Sequence, residues 1–211
     1  MFVLDARSVL TLPNVEFSNQ NMQLGGTTPG STEEYFSQIE FGKVYSEGST
    51  GGDRTITDIR AAEVLPESPL PLEGCLRAIC LRSEPERDTL LYLLGADREK
   101  WAGLCYVSDA LKVFQKDYTF IQEIRLTPKG VVFRLNPRRD RQNIKVSIKI
   151  RNSIGVIVGD FFNNDHAPHP NPPADSWLWE LPLQQGVYLV EVKLEDTLAY
   201  RSEIELGDSL F

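Results

Sequence analysis

Val146-Ser147-Ile148-Lys149-Ile150 alternates apolar and polar residues without a break, and Tyr188-Leu189-Val190-Glu191-Val192 repeats the pattern. Successive side chains of a strand point to opposite faces, so each run has one buried and one wet face. That is the pattern of an antiparallel sheet covered on one side. Around them lie runs at 121–126, 131–135, 154–158, 177–181 and 200–206, which with 144–150 and 186–194 make seven short strands. The segment 160–174, rich in Pro, Asn and Asp, reads as a loop between two of them.

The chain before Tyr118 has a different grammar, and the expected fold class is α+β. Phe2-Val3-Leu4 is an apolar strand at the start of the chain, so we expect a fragment or an internal start at Met1. Ser31-Thr32-Glu33-Glu34 offers helix-capping chemistry and predicts a helix over 32–43. Further strands are expected at 76–81 and 104–108. Between them Glu84-Pro85-Glu86 opens a helix that runs through Leu90, Leu91 and Leu94 to a stop at Gly95. These readings divide the chain into an α+β domain at 1–116 and an all-β domain at 117–211. The linker 112–118 has neither Gly nor Pro, which favours fixed packing over free tethering. Seven strands over the second domain fit an immunoglobulin-like sandwich, with Tyr188 placed to act as its corner tyrosine.

The candidate site of the first domain is Thr57-Asp58-Ile59-Arg60-Ala61-Ala62-Glu63-Val64-Leu65-Pro66, which follows a glycine-rich segment at 46–53. Ile59, Ala61 and Val64-Leu65 read as a half-buried strand, and Glu63 sits within it. An ionised glutamate is seldom buried alone, so Glu63 points to solvent or into a cleft.

Residues 1–115 resemble the C-terminal part of the DarT family, toxins that ADP-ribosylate thymidine bases in single-stranded DNA. The resemblance rests on Phe2-Val3-Leu4-Asp5, on Phe41-Gly42, and on Asp58 followed by Ala62-Glu63-Val64-Leu65. It continues through Leu76-Arg77-Ala78-Ile79 and Cys105-Tyr106-Val107. It implies that Glu63 is catalytic, steadying an oxocarbenium-like ribose as nicotinamide leaves NAD and accepting a proton from the attacking base. It also implies that 44–57 is the substrate loop. Tyr45 would stack on a base, and Arg54 and Arg60 would meet phosphate. Two features depart from the family: Ala6-Arg7-Ser8 stands where a histidine usually follows, and the dinucleotide-binding half would precede residue 1. No glycine-rich dinucleotide motif or P-loop replaces it, so NAD is implied only where a complete pocket forms.

A formal charge of −8 argues against broad electrostatic capture of nucleic acid, which leaves single-stranded DNA as a local contact at most. Arg138-Arg139-Asp140-Arg141 reads as a solvated turn. His166 and His169, near Asp160 and Asp165, have metal-ligand chemistry but sit in the expected loop, so no metal is assigned. Cys75, Cys80 and Cys105 lack metal-type spacing and are odd in number, which suits reduced thiols. No apolar run approaches the roughly 20 residues that span a bilayer, so no membrane partner is expected. Met1-Phe2-Val3-Leu4-Asp5 lacks a signal-peptide profile, and with the reduced thiols this gives a cytoplasmic location as the expectation. Trp177 and Trp179 flank Leu178, one face filling a core and the other offering a contact surface. Two functions follow: a DarT-like transferase present as its C-terminal part, or a non-catalytic binding component whose β-sandwich holds a protein partner.

Overall fold

The computed structural model describes residues 1–23, 26–49, 51–60, 62–66, 69–108, 119–136, 144–166 and 176–207. They fall into two compact units, Phe2–Arg77 and Ala78–Phe211, with Met1 belonging to the second.

The smaller unit is built from short elements: β1 (Phe2–Leu4), α1 (Ala6–Leu10), β2 (Glu16–Phe17), α2 (Glu33–Ser37), α3 (Phe41–Val44), α4 (Arg54–Arg60), β3 (Val64–Leu65) and α5 (Leu72–Cys75). Asp5 caps α1 by accepting from Ser8 N at 2.7 Å. That bond, with Arg77 beside it, holds the Asp5 carboxyl below the usual carboxylate range. Thr32 caps α2 through Tyr35 N, as its sequence context predicts. The single helix expected over 32–43 is instead two, interrupted at 38–40. In one continuous helix Phe36 and Phe41 would sit about 140° apart. The break brings them together, and Phe17, Phe36, Phe41 and Tyr45 form an aromatic row with successive centroid distances of 4.9, 5.0 and 6.2 Å.

β4 (Leu76–Leu81) leads into the larger unit and pairs in parallel with β5 (Cys105–Val107) through Ile79–Cys105 and Leu81–Val107. Between them lie α6 (Glu84–Leu94), a 3-10 turn at Gly95–Asp97, and α7 (Arg98–Ala102). Ser83 caps α6: its buried hydroxyl accepts from Glu86 N at 3.3 Å and donates to Ile121 O at 2.6 Å. Gly95, at φ +54°, ends the helix as expected. The three cysteines are free thiols.

The remaining strands are β6 (Ile121–Thr127), β7 (Gly130–Leu135), β8 (Ile144–Asn152), β9 (Ile157–His166), β10 (Ser176–Glu180), β11 (Gly186–Leu194) and β12 (Thr197–Leu206). They form two antiparallel sheets, in order β10-β7-β6 and β12-β11-β8-β9. Both sheets feed one core that includes Ile121, Phe133, Ile148, Val190, Val192 and Tyr200. Each such side chain, fully buried, stabilises the fold by about 1.5–3 kcal/mol relative to exposure. Burial alternates strictly along β8, which fixes its register against slippage by one residue. The α+β class therefore holds, with strands predominant and no closed barrel among the described residues.

Two strand expectations need correction. The strand expected at 154–158 begins at Ile157, because the Asn152 carboxamide oxygen accepts from both Ile154 N and Val156 N and bends the chain there. The segment expected to be loop from Asp160 is strand through His166, held by pairing with β8 that overrides its Asn and Asp content. The compositional change near 117 marks where the sheets begin, whereas the compact units divide inside β4, so α6 belongs with the sheets. The linker 112–118 and the basic cluster 138–141 lie outside the described residues, as do Ala61, His169 and the segment 167–175.

Candidate functional site

The Glu63 segment is not the strand its sequence suggests. Arg54–Arg60 is helix α4, and only Val64–Leu65 pairs as strand, with Glu16–Phe17 of β2. Asp53 accepts from Ile56 N at 3.4 Å at the start of α4, so the stretch begins with helix-start chemistry. Glu63 directly precedes β3. Its backbone N donates to Ser18 Oγ at 2.8 Å and its carbonyl accepts from Ser18 N at 2.9 Å, while its side chain is exposed.

The other residues assigned to this site have distinct tasks. Arg60 donates through Nε to Ser46 Oγ and through Nη1 to the Gly48 carbonyl, both at 2.9 Å, so it braces the glycine-rich loop. Gly48, Gly51 and Gly52 all take positive φ there, a conformation that glycine adopts without strain. Tyr45 is 76% exposed at the end of the aromatic row, stacked on Phe41. Arg54 is exposed at the first position of α4. Arg60 and the loop after Tyr45 are thus brought together, and Glu63 is held by a separate backbone link to Ser18.

The larger unit presents a second candidate, formed by the margins of its two sheets. On one margin β12 and β6 lie under α6. Thr89 Oγ1 of α6 accepts from Arg201 N at 3.0 Å, so an edge amide of β12 is already satisfied, and the Arg201 guanidinium lies 5.4 Å from the Tyr92 ring. On the other margin β9 and β10 lie over one another. Phe161 and Trp179 approach with centroids 5.4 Å apart, and Gly159 is packed so closely on Trp179 and Leu181 that a Cβ would fall within 2.6–2.7 Å of them. Among the described residues no strand pairs with the outer side of β9.

This open margin is apolar at its tip. Ile154 is 80% exposed at the β8–β9 turn, and Val156, Ile157 and Val158 are exposed beside it. Further along β9, Phe162 is 57% exposed on the outer face, with the Lys145 ammonium 5.4 Å from its ring. Leu178 of β10 is exposed as well. Trp179, expected in a core or on a contact face, packs inward, whereas Trp177 is placed only by its pairing with Phe133. Sequence reasoning missed this margin because Ile154-Gly155-Val156-Ile157-Val158 looks like a strand core, and a five-residue aliphatic run carries no sign of its exposure.

A cavity of about 480 Å³ lies beside α6, lined by Arg82, Glu86, Phe120, Ile144, Glu195 and Leu198 among others. Two of its charges pair with each other: Arg82 Nε donates to Glu86 at 2.7 Å, and the guanidinium lies 4.7 Å from the Phe120 ring. Among the described residues no group of His, Cys, Asp or Glu is arranged to hold a metal. No helix among them is long and apolar enough to cross a membrane.

No protein-family model matches this chain, and no curated protein does. Among solved structures, dimeric latent PorU from Porphyromonas gingivalis is similar at 14% identity and a TM-score of 0.31, over 48% of this chain and 10% of that one. At that level the similarity carries no argument about fold or activity.

Proposed function

We propose that this chain is a non-catalytic binding component that holds a protein partner along the β9–β10 margin of an immunoglobulin-like sandwich. The observation that carries this reading is the asymmetry of the two margins. Sheet edges present unpaired backbone groups and are commonly covered or blunted. Here α6 covers the β12–β6 side, whereas among the described residues no strand pairs with the outer side of β9, where Ile154, Ile157 and Phe162 are exposed. The immunoglobulin-like assignment is supported by the arrangement of three and four strands over a shared core. It is also supported by Tyr188, whose hydroxyl donates to the Gln184 carbonyl at 2.8 Å, as a corner tyrosine does. A photoreactive residue placed at Phe162 or Ile154 tests the reading. Cross-linking to a protein partner there, and not at Glu84 on the covered margin, is expected. Equal labelling at all three positions, or none at Phe162, contradicts it.

One observation favours a second reading, the DarT-like transferase. The exposed Tyr45 ends an aromatic row beside a loop braced by Arg60, an arrangement on which a base can stack. On that reading the chain modifies single-stranded DNA with NAD, and Glu63→Ala abolishes the reaction. Inactivity together with absence of NAD binding would sink it.

A further inference from the structure

The outer face of the four-stranded sheet carries a row of alternating charge. Arg201 of β12 lies opposite Glu191 of β11, Glu191 lies opposite Lys149 of β8, and Lys149 lies opposite Asp160 of β9. The Arg201–Glu191 and Lys149–Asp160 pairs each close to 3.6 Å. Read from the covered edge to the open one, the order is cation, anion, cation, anion. The row therefore ends on the exposed Asp160 carboxylate, at the edge where no described strand follows.

The backbone at this edge is suited to one more strand. Register irregularities lie between Ile150 and Arg151 and between Ile144 and Val146, which leaves 159–163 as five consecutive regularly paired residues. That matches the usual strand length of about 5–6 residues. Directly opposed unlike charges favour strand pairing and like charges oppose it. An added strand that continues the row places a cation opposite Asp160, and its neighbours two residues away on the same face meet Phe162 and the exposed aliphatic tip.

We propose that the β9 edge binds an extended polypeptide segment of a partner protein, in which a Lys or Arg is flanked two residues away on each side by apolar residues. This rests on the binding-component reading above and specifies its partner's chemistry. A second copy of the chain fits poorly, since β9 itself contains neither Lys nor Arg to set opposite Asp160.

The test uses the full chain and fluorescently labelled peptides of sequence Thr-Val-Thr-Arg-Thr-Val-Thr, with Glu replacing Arg as the charge-reversed probe. The Arg peptide is expected to bind roughly tenfold more tightly than the Glu peptide, by fluorescence anisotropy. Asp160→Lys, an exposed change that leaves the core untouched, should invert the preference. Asp160→Asn should reduce it without inverting it. Equal binding of both peptides, or a preference that Asp160→Lys does not alter, overturns the proposal. Self-association of the native chain that occludes β9 also overturns it. If cross-linking at Phe162 still captures a protein while neither peptide binds, this inference fails and the broader reading survives. If cross-linking fails too, both fall.

Discussion

Gly130 begins β7 at φ +140°, and a Cβ placed there would lie 1.9 Å from the Trp179 carbonyl oxygen and 2.7 Å from Leu181 N. Both are backbone atoms of the β10 region, so no rotamer change relieves the contact. Gly130→Ala must push the chain at 179–181 away by more than about 1 Å, since the well for carbon contacts is near 3.5–4.0 Å. That movement disrupts the Glu180–Gly130 pairing and the hydrogen bonds from Leu181 N to Lys129 O (2.9 Å) and Leu183 N to Pro128 O (3.2 Å). Two hydrogen bonds at about 1 kcal/mol each, plus about 1–3 kcal/mol for an alanine at such φ, give a loss of roughly 3–5 kcal/mol. Gly186 supplies the control. It has φ +151°, yet a Cβ there meets nothing closer than a Tyr188 ring carbon at 3.8 Å. Gly186→Ala should therefore cost only the backbone term, about 1–3 kcal/mol. Urea denaturation of both variants measures the difference. Equal destabilisation, or a Gly130→Ala loss below about 1 kcal/mol, would refute the close packing of β10 on the Gly130 turn.

Other consequences follow from single side chains. Burial, with Asp88 nearby, pushes the Tyr200 phenol up to about 12. The folded state then keeps a proton that the unfolded chain releases near pH 10. Stability is thus fully present below pH 10 and declines by roughly 2–3 kcal/mol as pH rises to about 12, a slope that Tyr200→Phe should remove in alkaline unfolding measurements. Ser83→Ala should cost about 1–3 kcal/mol, because it deletes the α6 cap and leaves the buried Ile121 carbonyl without its donor, whereas Ser83→Thr should retain part of that. Glu195 and Asp196 form a two-residue hairpin turn with φ of +50° and +63°. Asp196→Gly should stabilise by about 0.5–1 kcal/mol, net of the exposed Lys145 ion pair, as read from thermal midpoints.

The strands of the larger unit were legible because their alternation comes from a single cause, one buried face, and β8 and β11 follow it residue by residue. The helix at Glu84–Leu94 was equally legible, since Ser83 and Gly95 supply the local chemistry of its two ends. The extent of β9 was not. Phe161-Phe162-Asn163-Asn164-Asp165 lacks alternation, and it is strand because β8 pairs with it. The Thr57–Pro66 stretch failed for the opposite reason. Asp53 and the Ile56–Ile59 spacing already signalled a helix, but the apolar Ile59, Ala61 and Val64-Leu65 suggested a strand. In the candidate site, the chemistry of Glu63, Tyr45, Arg54 and Arg60 could be read from residue types, but their partners could not. The Arg60 link to Ser46 and Gly48 depends on how the loop folds back. The charge row from Arg201 to Asp160 depends on pairing four strands in one register, which no local pattern encodes.

Amide hydrogen exchange along β9, with and without the Arg-centred peptide, tests the open edge most directly. The outward-directed amides of 159–163 should exchange faster than Arg201 N, which is bonded to Thr89, and should become protected when the peptide binds. If those amides are as protected as Arg201 N in the free chain, or gain no protection from bound peptide, the β9 edge is not the binding surface.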